Sequence, residues 1–183
     1  MSSKRKASPI HLFAMEVGSG NMKPWETVVG ELIMTFGVLE FLSHLYVQHL
    51  ARDSAMTWLA IDMPFSKRLD LIIGLVDRED LPKSAKERMR NSWRKVKQHN
   101  AIRNTIAHNP LMWGRSSKQG GPPNFIAVPN VKKASRKESK IMVRKELSID
   151  MKTLKTVVKE LRGTVVALNE DLKGLQESVN AGG

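Results

Sequence analysis

A chain of 183 residues with 41% hydrophobic and 26% charged residues has the length and composition of a folded domain with a sizeable core. It contains no cysteine, which excludes a disulfide framework and thiolate metal sites and fits a reducing compartment. Its formal net charge of +12 and pI near 10.1 predict attraction to polyanions, above all nucleic acid.

Residues 1–24 read as a flexible basic arm, with Lys4, Arg5 and Lys6 near its start and the loose run Gly18-Ser19-Gly20-Asn21. No secretory leader is recognisable in it, so a cytoplasmic location is expected. Residues 25–51 form the first main helix: Val28, Val29, Leu32, Ile33, Phe36, Leu39 and Leu42 recur at helical spacing. Glu26, Glu31 and Glu40 interrupt this most apolar segment, and no membrane span is expected. Glu40 is either a buried carboxylate aimed at Arg103 or a solvated residue at the edge of the stripe. A second helix is predicted over 64–77, started by Pro64, with Lys67 and Arg68 on its wet face.

The stretch from Pro82 to Pro110 reads as one long helix. Pro82 suits a first helical turn, and Pro110 disfavours helical geometry at Asn109. Met89, Trp93 and Val96 form its core stripe, which then meets Asn100, Arg103 and Asn104 before returning to Ala107. Polar groups aimed at an apolar seam need partners, and such a conflict marks a functional site. Asn104 and His108 share a face at i and i+4, whereas Arg103 and His108 point about 140° apart on a straight helix. Their convergence requires a distorted last turn, a swung Arg side chain or a second copy of the helix.

Residues 111–147 break the helical pattern. Phe125–Val128 and Ile141–Val143 are β candidates, read as a small hairpin whose tip carries Lys132, Lys133, Arg136 and Lys137. With Lys97 these are the candidate nucleic-acid contacts, although a charged tip is equally at home in water. The last helix is predicted over 149–178, capped by Ser148, with residues 179–183 a disordered tail. Five scattered histidines supply no metal-ligand spacing, and no cofactor motif is present, so neither a metal nor a cofactor is expected.

The fold expected is all-α: a single helical bundle over 25–178 with a β-hairpin inserted before the last helix. Arg103-Asn104-Thr105-Ile106-Ala107-His108, at the end of a long helix in such a chain, resembles the HEPN superfamily (higher eukaryotes and prokaryotes nucleotide-binding domains). That resemblance implies an up-and-down bundle and metal-independent RNA cleavage, with Arg103, Asn104 and His108 catalytic and Glu40, Asn100 and Asn109 supporting them. It also implies a homodimer with a shared cleft, attack of a ribose 2′-OH on the adjacent phosphate, and a role as toxin or phage-defence effector. An antitoxin or a nucleotidyltransferase is the partner implied beside RNA. Two other readings fit the same residues: a nucleic-acid- or nucleotide-binding module that does not cut, and a helical scaffold in which Arg103 and Asn104 bridge helices.

Overall fold

A computed structural model describes residues 12–13, 22–108, 112–114, 125–131 and 143–181. Five helices dominate it: α1 (Lys23–Ala51), α2 (Ser54–Ile61), α3 (Phe65–Arg78), α4 (Lys83–His108) and α5 (Met151–Ala181). The all-α bundle expected from the periodicity is therefore present. The chain divides into two compact units, residues 30–104 with 156–183 and residues 1–29 with 105–155.

The first of these is a helical bundle. Its core is made by Leu32, Phe36, Leu39 and Tyr46 of α1, Leu69 and Ile72 of α3, Trp93 and Val96 of α4, and Leu161 and Leu168 of α5, all buried. Each such side chain contributes about 1.5–3 kcal/mol by leaving water. The ring of Tyr46 meets Trp93 edge-on at 5.0 Å, and its hydroxyl donates to the carbonyl of Leu168 at 2.8 Å. Burial pushes the Tyr46 hydroxyl's pKa strongly upward, so it remains a donor.

Cross-helix contacts fix the directions. Asp77–Arg90 and Asp70–Lys97 make α3 and α4 antiparallel, and Arg88–Asp171 and His99–Glu160 do the same for α4 and α5. Phe36 against Phe65 and Glu40 beside Arg68 make α1 and α3 run the same way. The short α2 supplies the return stroke, so up-and-down alternation is kept with one helix more than the periodicity predicts. Arg52, with φ of 52°, ends α1 in the left-handed region, and Asp53 caps α2 by accepting from the Ala55 amide at 2.8 Å.

The other unit carries a four-stranded antiparallel sheet in the order β1 (Leu12–Phe13), β2 (Met112–Gly114), β3 (Phe125–Val131) and β4 (Val143–Asp150). The predicted hairpin is thus its β3–β4 half, with the second strand set later: Phe125 pairs with Asp150 and Val131 with Val143. Ser148, expected to cap the last helix, instead lies in β4 opposite Ala127. Asp150 is the cap, accepting from the Thr153 amide at 2.6 Å, a bond that holds its carboxyl below the usual range. Two further boundaries move. Leu12–Phe13 is a strand within the supposed arm, and α5 continues through Ala181 into the supposed tail. Lys4–Lys6, Gly18–Asn21, Asn109–Pro110, Ile141–Met142 and the hairpin tip lie outside the described residues.

Candidate functional site

Arg103 stands on α4 one turn beyond the buried Asn100 and two turns beyond Val96. The core stripe of α4 therefore turns polar where the sequence places Asn100 and Arg103, and the structure brings both against the bundle. Arg103 Nη1 donates to Asn104 Oδ1 at 3.0 Å. Its Nη2 lies 3.8 Å from Glu40 Oε2 on α1. That separation is too long for a hydrogen bond, so Glu40 orients the guanidinium without consuming the donor. Arg103 Nε and Asn100 Oδ1 are both buried without a hydrogen-bond partner among the described residues. Unsatisfied buried groups of this kind are costly and uncommon.

Glu40 proves to be neither deeply buried nor merely solvated. Its side chain is 41% exposed, and its carboxylate lies between two guanidiniums, with Oε1 3.6 Å from Arg68 Nη2. Arg68 is the residue the sequence reading misplaced. Assigned to the wet face of its helix, it is 1% exposed. Arg68 Nε donates to Ser43 Oγ at 2.7 Å, Nη1 donates to the carbonyls of Ala60 and Met63 at 2.9 and 3.3 Å, and the guanidinium lies 5.7 Å from the Phe65 ring centre. Burial lowers its pKa and Glu40 raises it in return. The signal available in the sequence was position: Arg68 is adjacent to Leu69 and three residues after Phe65, inside the apolar arc.

His99 is the second residue missed. It is buried, three residues beyond Val96, and its Nε2 lies 3.2 Å from Glu160 Oε2. His44, one turn after Glu40, is partly buried, and its pKa is lowered by burial and by Arg68, with Glu40 opposing. Among the described residues no cluster of three or more His, Asp or Glu side chains is arranged to hold a metal ion.

The remaining predicted residues are less gathered. Asn104 is exposed apart from its bond to Arg103, and His108, the final residue of α4, is exposed. Ile106, rather than Ala107, is the buried residue of that turn. Lys97 is exposed but ion-paired with Asp70, which reduces its availability to a phosphate. Asn109, Lys132, Lys133, Arg136 and Lys137 lie outside the described residues.

Chemically, a planar guanidinium held by Asn104 and Glu40 with donors to spare suits a phosphate oxygen pair. Comparison with protein-family models, curated proteins and solved structures finds no match to this chain.

Proposed function

We propose that the chain is a metal-independent endoribonuclease of the HEPN type, acting as a homodimer on RNA. The observation that carries this reading is the Arg103 guanidinium, oriented by Asn104 and Glu40 while its Nη2 stays free of a short hydrogen bond. The net charge of +12 supports a polyanionic substrate.

In this reading Arg103 binds the scissile phosphate and stabilises the charge that builds on it. His108 takes the proton of the ribose 2′-OH or returns one to the departing 5′-oxygen. The new bond joins the 2′-oxygen to phosphorus and the broken one frees the 5′-oxygen, leaving a 2′,3′-cyclic phosphate and a 5′-OH. Asn104 keeps the guanidinium in plane, and Asn100 supports that turn from within. A toxin or phage-defence role, with an antitoxin or nucleotidyltransferase as partner, belongs to the same proposal.

The test is cleavage of mixed RNA by the purified protein in excess EDTA, with the product ends analysed. Arg103→Ala should lower the rate by about 10²–10³-fold and His108→Ala by about 10²–10⁴-fold, with helical content preserved. Salt-sensitive RNA binding without products would instead make the chain a binding module. Loss of thermal stability in Arg103→Ala, with no binding, would make Arg103 a bridge between helices.

A further inference from the structure

Between α4 and α5 the bundle opens into a cavity of about 500 Å³. Ser92 and Lys95 line it from α4, and Lys159, Glu160, Gly163 and Ala167 from α5. Serine, glycine and alanine are too short to close the seam between two helices. Three polar donors on its walls are uncommitted. Among the described residues the ammonium groups of Lys95 and Lys159 have no ion pair, and the Ser92 hydroxyl has no hydrogen-bond partner. Several neighbouring cations are engaged: Arg88 with Asp171, Lys97 with Asp70 and Arg162 with Glu31. Arg94 and Lys155 are unpaired too, but they line no part of this cavity. Glu160 is the one acid lining it, and its Oε2 is held 3.2 Å from His99 Nε2. Two ammoniums and a hydroxyl from two helices, bordering one open space, suit the oxygens of phosphate groups.

The helix register distinguishes a strand from a lone phosphate. Arg88–Asp171 and His99–Glu160 set one antiparallel register. In it Lys159 is level with Asn100, and Thr156, also on the cavity wall, is level with Arg103. At about 1.5 Å per residue, Lys95 and Lys159 are staggered by about 7.5 Å along the groove, and the level of Arg103 lies about 4.5 Å further on. A single phosphate needs no such stagger, whereas successive phosphates of an extended strand fit it. Past Ala167, in the other direction, the seam continues into a second cavity of about 470 Å³. Glu170 and Asp171 line that one, and its Arg88 is already bound to Asp171. It offers a polyanion no uncommitted cation, so the favoured path runs from Lys95 toward Arg103.

We propose that the α4–α5 groove is a binding site for the backbone of single-stranded RNA, with Lys95 and Lys159 each taking a phosphate of the segment beside the one held by Arg103. The groove performs no chemistry; it adds affinity and sets the direction from which the strand approaches. The inference rests on the RNA-directed reading above, yet the two fail separately. A strand carrying 2′-O-methyl groups lacks the attacking hydroxyl, so it reports binding without cleavage.

The test is anisotropy of a fluorescein-labelled 2′-O-methyl RNA, about twelve nucleotides long, titrated with the full chain at several salt concentrations. Lys95→Ala combined with Lys159→Ala removes two phosphate contacts. Affinity should fall about 25-fold at ~0.1 M salt, and the logarithmic salt slope should flatten by about 1.4. Arg94→Ala combined with Lys155→Ala removes the same charge from outside the cavity and should cost less than about threefold. Gly163→Phe leaves the charge unchanged and fills the groove from a position where a Cβ meets no atom within 4 Å. It should weaken binding by roughly fivefold or more, with helical content preserved. Equal losses in the two double variants would mean a diffuse basic field and overturn the site. Full affinity in Gly163→Phe or in Lys95→Ala/Lys159→Ala would overturn it as well, as would a wild type that binds no RNA. Displacement of the strand by equimolar pyrophosphate would assign the cavity to a small phosphate ligand instead. Groove-dependent binding with no cleavage of unmodified RNA in EDTA would leave the site standing and remove the nuclease.

Discussion

Arg68 places a charged group in the bundle, and the surroundings show what makes that tolerable. Two main-chain carbonyls, one hydroxyl and one half-exposed carboxylate share its guanidinium. Arg68→Met keeps the length of the side chain but leaves the Ser43 hydroxyl and the carbonyls of Ala60 and Met63 without this donor. The expected loss is about 3 kcal/mol in urea unfolding. Glu40→Gln should cost less than about 1 kcal/mol, because its contacts are long and its side chain is partly in water. A larger stability loss in Glu40→Gln than in Arg68→Met would reverse this ranking. His44 adds a pH dependence. Its folded pKa lies below the ordinary 6.5, first through burial and then through Arg68. The folded chain thus binds fewer protons there than the unfolded chain. The His44 contribution is complete above the unfolded pKa and is lost as pH falls from that value through the folded one. His44→Gln should flatten the fall in urea midpoint between about pH 7 and pH 5.

At the scale of elements, the helices that the sequence made legible are those whose apolar residues recur at helical spacing. In α4 the pattern Met89, Trp93, Val96 announced both the buried face and the point where it turns polar. Glu40 and Arg103 were legible as a pair because each interrupts such a stripe. α2 was not legible: it is eight residues long, and Trp58, Leu59 and Ile61 remain exposed, so no periodicity marks it. Its existence depends on the Asp53 cap and on Arg68 taking the carbonyl of Ala60, and neither is a pattern within α2 itself. The sheet was half legible for a related reason. Phe125–Val128 has strand composition, whereas Arg144-Lys145-Glu146 in β4 is a charged run with no strand alternation and pairs into the sheet only through its partner β3.

For the whole molecule, the net charge of +12 sets how it meets a polyanion. RNA affinity should fall linearly with salt on logarithmic axes, with a slope near −3 for about four phosphate contacts on a single strand. A salt-independent affinity would mean that recognition does not rest on phosphates. The arrangement around Arg68 also bears on the order in which the chain assembles. Two of its acceptors, Ala60 and Met63, lie eight and five residues away in sequence, while Ser43 lies twenty-five away. Closing the short loops loses less chain entropy than closing the long one. The α2–α3 corner can therefore gather around its arginine as a local event, with α1 arriving later to complete the shell. Until it does, the guanidinium keeps part of its hydration, and the docking of α1 is the step at which that last water must leave.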